Sequence, residues 1–262
     1  MLGLGTTITS IDSGQIYKEL SELSNYADLD IHFDFSTLAG DHGVEIADVA
    51  NSGQTGLTNR IDSNEGSPSL DRETMSKSSI VFDGGNDILD FAANYTTTGK
   101  PFTFFIVFQK ADLSNDSLIV NADDGTTDYI KTAGGSAASI QTKMDGEAAV
   151  TTVLNSTAGS TKDYSIVANT PTVLVIRRDG TGILYFYADN NLFIATKDST
   201  AGKAAANFTI GAVGGSTASG ATSSDWTGNV GELGLYDGDV GELALGDILA
   251  SLCTKWGVER IK

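Results

Sequence analysis

Carboxylates crowd three turns of this chain: Asp83, Asn86 and Asp87 in FDGGND, Asp123, Asp124 and Asp128 in NADDGTTD, and Asp237 and Asp239 in YDGD. Clustered oxygens suit calcium, which gathers about six to eight of them from carboxylates and carbonyls. Asp83, Asn86 and Asp87 are the leading metal candidates. Turn chemistry is the plainer reading, since no EF-hand loop is present and Asp-Gly and Asn-Asp are ordinary turn formers. Aromatics offer a second chemistry. Tyr185 and Tyr187 stand two apart in GILYFYA, so a strand puts both rings on one face and Phe186 on the other. Either tyrosine, or Trp226, could stack on a sugar ring, against the alternative of aromatics packed in a core.

Reactive constellations are scarcer. A glycosidase needs two carboxyls facing one groove, about 5 Å apart in the retaining class. Glu232 has Val230 and Gly234 at the same-face positions of its strand, so no such pair lies on it. His32 and His42, near Asp34 and Asp41, lack the further ligands of a zinc site. Cys253 falls on the apolar side of a helical pattern, where a buried thiol is inert. No G-x-S-x-G, P-loop or dinucleotide fingerprint is present. The residues therefore predict a non-enzyme with no cofactor, calcium being the open case.

The elements that carry these residues are mostly short strands. PFTFFIVFQK places Phe102, Phe104, Ile106 and Phe108 on one face and Phe105 and Val107 on the other, so this strand is expected to be covered on both sides. A three-stranded meander follows from Thr172 to Arg178, Ile183 to Ala188 and Leu192 to Thr196. Between them SLIVNA, DYIKT, SIQTKM, AVTTVL and YSIVA read as half-polar strands nearer an edge. Two helices flank the strands. Ile16, Tyr17, Leu20 and Leu23 predict a short amphipathic helix after an extended arm. Leu245, Ile248, Leu249, Leu252 and Trp256 predict a terminal helix over about 239–256, with Asp239 and Glu242 as its capping box and Gly257 as its stop.

Composition narrows the setting. The 262 residues include 34 acidic and 16 basic side chains, a formal net charge of −18. Such a field repels phosphate backbones and anionic lipid, so nucleic acid and membrane insertion are not expected. One cysteine rules out an intrachain disulfide. The opening MLGLGTTITSIDSG has no basic stretch before its apolar residues, so synthesis in a cytoplasm without a signal peptide is the expectation.

Three motifs resemble the LamG-like, concanavalin A-like jelly rolls: DVANSGQTGLTN (Asp48 to Asn59), VFDGGNDILDF (Val81 to Phe91) and the closing strand WTGNVGELGLYDG (Trp226 to Gly238). With the RRDGTGILYFYADNNL hairpin, the resemblance spans residues 28–262. It implies an all-β, two-sheet antiparallel jelly-roll sandwich with a short N-terminal helix and a C-terminal helix, divided into an arm over 1–27 and a sandwich over 28–262. The opening MLGLGTTITS and the closing TKWGV are similar to LamG-like structural proteins of tailed phages, especially marine ones. That likeness implies a virion-surface protein, a capsid decoration or a tail or fibre component, within an oligomeric assembly. Leu2, Leu4, Ile8, Ile16, Tyr17 and Leu20 would then dock on other virion proteins. The alternative is a carbohydrate-binding adhesin that takes host-surface glycans, with calcium assisting.

Overall fold

The computed structural model describes residues 29–46, 48–50, 53, 58–61, 66–97, 101–112, 117–120, 129–133, 139–143, 150–153, 166–181, 183–189, 191–197, 208–215 and 226–258. The N-terminal arm, the helix expected over 16–23 and the Asp123–Asp128 turn lie outside the described residues. Within them the chain forms two antiparallel sheets. The first runs β14 (Asn191–Lys197), β13 (Ile183–Ala188), β12 (Pro171–Arg178), β7 (Phe102–Lys110), β16 (Thr227–Tyr236), β5 (Ser79–Asp83) and β4 (Ser69–Asp71). Strand β1 (Leu29–Asp34) continues the line of β5 along the same edge of β16. The second runs β11 (Val150–Val153), β10 (Ser139–Lys143), β9 (Tyr129–Ala133), β8 (Ser117–Val120), β15 (Thr209–Val213), β6 (Leu89–Thr96), β3 (Thr58–Ile61) and β2 (Asp48–Ala50).

Strand β7 is buried at every position, as its two-faced apolar pattern requires. Phe102, Phe104, Ile106 and Phe108 enter the core between the sheets, where they meet Phe208, Ile210, Ile176 and Trp226. Phe105 and Val107 point the other way, into a second core beneath the terminal helix α1 (Gly241–Trp256). That helix contributes Leu245, Ile248, Leu249, Leu252, Cys253 and Trp256, all buried. Burying each large apolar side chain contributes about 1.5–3 kcal/mol, so one apolar helix face suffices to seal the outer surface of a sheet.

The meander and the half-polar strands form as expected, the latter making the β8–β11 end of the second sheet. YSIVA differs. Ile166 is buried, but Val167 is 55% exposed and the chain turns at Asn169, whose φ of 59° is left-handed. The turn bonds Thr170 N–H to Val167 O, and Asn169 N–H to Lys110 O leads into the β12–β7 ladder, so 166–170 form a turn rather than a strand. The start of α1 also differs. Asp239 is not the N-cap of a capping box: the helix begins at Gly241, and Asp239 Oδ1 accepts the Gly241 N–H from one residue outside the cap. Gly257 ends it as expected, with φ 67° and its N–H on Thr254 O.

Candidate functional site

Strands β12 and β13 hold the chemistry-bearing face. Arg177 stands directly opposite Tyr185 in the ladder, and Val175 opposite Tyr187. Alternation sends Leu184 and Phe186 inward and both tyrosines outward, where each is half-buried and Tyr187 packs against the cluster beneath α1. Arg177 donates from Nε to Asp239 Oδ1 at 2.6 Å and from Nη2 to Asp239 Oδ2 at 2.7 Å, a two-pronged pairing that ties β12 to the segment entering the helix. The guanidinium carbon lies 5.1 Å over the Tyr185 ring, and Tyr187 also hydrogen-bonds this arginine. Tyr185 donates its hydroxyl to Asp179 Oδ2 at 3.1 Å, while Asp179 Oδ1 takes the N–H and hydroxyl of Thr181. The Arg177 bond, aided by the Gly241 N–H, holds the Asp239 carboxyl below the usual carboxylate range despite some burial. Two aromatic rings, one guanidinium and two carboxylates thus share a rigid, partly exposed surface.

A second polar cluster lies on the same sheet face, beneath the C-terminal end of α1. Strand β16 carries a β-bulge between Val230 and Glu232, so Val230, Leu233 and Leu235 face the other sheet while Glu232 and Tyr236 face the helix. A Cβ on Gly231 would sit 2.4 Å from the Trp256 ring, so the glycine is what admits that indole. Glu232 is 2% exposed. It accepts from His32 Nε2 at 2.8 Å, Lys255 Nζ at 2.7 Å and Trp256 Nε1 at 3.0 Å. Lys255 also reaches Asp34 Oδ1 at 2.7 Å, and Asp34 is the cross-strand partner of Glu232. Burial alone would raise the Glu232 carboxyl; its bonds to His32 and Lys255 bring it below the ordinary value.

The second acid beside Glu232 was invisible in its own strand because it comes from β1, some 200 residues away. Glu232 itself is buried and both of its oxygens hold donors, while Asp34 stays partly exposed. A third buried group, Asn229, donates to Asp71 Oδ2 at 2.8 Å and Ser79 Oγ at 3.0 Å, joining β16, β4 and β5. Burial would raise the Asp71 carboxyl, but bonds from the Thr74 hydroxyl, the Glu73 N–H and the Asn229 amide outweigh it and bring it to about 2.

Other expected site residues are placed differently. Trp226 is fully buried, packed edge-on against Phe108 at 5.3 Å with the Lys110 ammonium 4.9 Å over its ring. It presents no face to a sugar and is a core residue. Asp83, Asn86 and Asp87 do come together, as a turn. Asp83 Oδ1 accepts the Gly85 N–H at 2.7 Å, and Asp87 Oδ2 accepts the Asp83 N–H at 2.9 Å. Burial, with the charges of Asp83 and Glu45 behind it, raises the Asp87 carboxyl. Among the described residues no three His, Cys, Asp or Glu side chains converge to hold a metal ion. His42 lies 3.7 Å from Asp71, apart from His32, so the two histidines are not brought together. Leu2, Leu4, Ile8, Ile16, Tyr17 and Leu20 lie outside the described residues.

No protein-family model matches the sequence, and no curated protein matches it. Solved structures do match its shape. The binding domain of Paraclostridial Mosquitocidal Protein 1 superposes with a TM-score of 0.59 at 12% identity, over 88% of this chain and 53% of that one. Domain 4 of an extracellular arabinanase from Geobacillus stearothermophilus, solved with arabinotriose, gives 0.55 at 12% identity, over 85% of this chain and 98% of that one. The receptor binding domain of botulinum neurotoxin D gives 0.57 at 10% identity, over 88% and 55%. The chain thus spans about half the length of the toxin domains and nearly all of the arabinanase domain. At these identities the likeness is one of fold: the chain is an all-β, antiparallel jelly-roll sandwich of two sheets, closed on one face by a C-terminal helix.

Proposed function

We propose that the chain is a non-enzymatic carbohydrate-binding module. The observation that carries this reading is the outward pair Tyr185 and Tyr187, framed by Arg177, Asp179 and Asp239 on a rigid hairpin. Aromatic planes supply apolar contact with a sugar ring while the surrounding polar groups fix its hydroxyls. Fold neighbours described as binding or receptor-binding domains, and one solved with arabinotriose, support it. The burial of Glu232 and its three donors argue against a glycosidase pair at the one place where two acids face each other across β1 and β16. A glycan array probed with the wild type, Tyr185→Ala and Tyr187→Ala tests this. Sugar-dependent binding lost in both variants is expected; a wild type that binds no glycan overturns it.

The setting we assign is the surface of a tailed-phage particle, on the similarity of Met1 to Ser10 and Thr254 to Val258 to phage LamG-like structural proteins. There the arm residues Leu2, Leu4 and Ile8, with Ile16, Tyr17 and Leu20, dock on a capsid or tail subunit and the acidic sandwich faces outward to host glycans. Deleting residues 1–12 should abolish incorporation into particles while leaving sugar binding intact. Unchanged incorporation refutes the docking role.

A further inference from the structure

We infer that the Tyr185 and Tyr187 surface selects uncharged, hydroxyl-rich glycans and rejects sialylated, sulfated and uronic ones, an inference that rests on the carbohydrate-binding reading above. Proteins recognise carboxylate and sulfate groups chiefly through forked arginine donors. One edge of that fork is already used here: Nε and Nη2 of Arg177 both end on Asp239, at 2.6 and 2.7 Å. Its charge is compensated in place, and its remaining environment includes the Tyr185 ring and Tyr187. The other polar groups of this surface, the Asp179 and Asp239 carboxylates and the tyrosine oxygens, are rich in acceptor sites. A carboxylate oxygen accepts more than one bond and is answered by donors. Sugar hydroxyls supply such donors; a ligand carboxylate or sulfate brings only more acceptors. Asp239 pairs with the guanidinium and Asp179 bonds the Tyr185 whose ring lies under it, inside a chain of net charge −18. An anionic ligand therefore meets repulsion both at contact and on approach.

Matched oligosaccharides that differ in charge test this on the full chain: arabinotriose, lactose and cellotriose against sialyllactose, lactose sulfate and a trigalacturonate, by titration calorimetry at low and moderate salt. The expected result is measurable affinity for at least one neutral sugar and about tenfold or weaker binding of every anionic one, the gap narrowing as salt rises. Asp179→Asn leaves helix α1 untouched and should narrow the gap. Asp239→Asn, which uncovers the arginine charge, should raise anionic binding about tenfold. Sialyllactose or lactose sulfate bound as tightly as lactose overturns the selectivity while leaving the carbohydrate-binding reading standing. Neutral binding that survives the Tyr185→Ala, Tyr187→Ala double variant also overturns it, by placing the sugar elsewhere. Absence of binding to every probe overturns both.

Discussion

Replacing Glu232 by Gln changes one atom and dismantles the most buried charge cluster described. The carboxylate serves three donors, His32, Lys255 and Trp256, at 2.7 to 3.0 Å. A glutamine has one acceptor oxygen. Aimed at Lys255 and Trp256 it keeps two bonds, and its NH₂ group then faces His32 Nε2, which can accept only while that nitrogen is unprotonated. Each retained bond falls from the charged class, about 1.5–3 kcal/mol, to the neutral class, about 0.5–1.5 kcal/mol. Lys255 keeps Asp34, so the loss in neutral solution should be about 2 kcal/mol. Glu232→Ala removes this acceptor from His32, Trp256 and Lys255 at once, leaving Lys255 with Asp34, and should cost about 3–5 kcal/mol. Urea unfolding at neutral pH supplies the readout. Both variants should lower the unfolding midpoint with an unchanged m-value. Losses below about 0.5 kcal/mol in both variants, or an Ala variant no worse than Gln, would refute the view that this glutamate fastens α1 to β1 and β16.

Gly231→Ala should cost about 1–3 kcal/mol and shift tryptophan fluorescence, since the new methyl would meet the Trp256 ring at 2.4 Å; an unchanged spectrum would show that the indole is not seated there. Acid should unfold the protein partly through Asp71. Its folded carboxyl titrates at about 2, below the ordinary 3.8, so its stabilisation is present above the ordinary value and disappears as pH falls through about 2. Melting curves of Asp71→Asn should be flatter than wild type below about pH 4. Asp87 carries the opposite sign: its raised carboxyl is a cost at neutral pH that vanishes in acid, so Asp87→Asn should raise Tm at pH 7 and lose that gain as pH falls. Calcium that raises the wild-type Tm, with no effect on Asp87→Asn, would instead identify the FDGGND turn as a cation site.

The sandwich was legible because its signals are local. The PFTFFIVFQK alternation, the Asp179 and Asp189 turns and the apolar face ending at Trp256 each act within one or two elements, and each appears where its pattern placed it. That Tyr185 and Tyr187 share a face followed from period two alone; which face points outward did not. What period two cannot reveal is the company these residues keep. Arg177 meets Asp239 across 62 positions and His32 meets Glu232 across 200, contacts created by the order of strands rather than by any sequence window. Trp226 was open between two readings for a related reason: amphipathic aromatics suit both surfaces and cores, and the arrival of Phe108 and Lys110 from β7 decides for the core. A run of two arginines closing a buried strand was the one available hint that an acid waited nearby.

The extra residue in β16 has a consequence for anyone recombining this domain with another. Upstream of Gly231 the strand keeps one parity and downstream it keeps the opposite, so the two halves are out of step by one position. Threading the same residues onto a strand of regular pitch would send Glu232 into the hydrocarbon interior and turn Leu233 and Leu235 toward the helix. Chimaeras should therefore be cut outside Thr227 to Tyr236, and alignments that close the gap there will pair residues from opposite sides of the sheet.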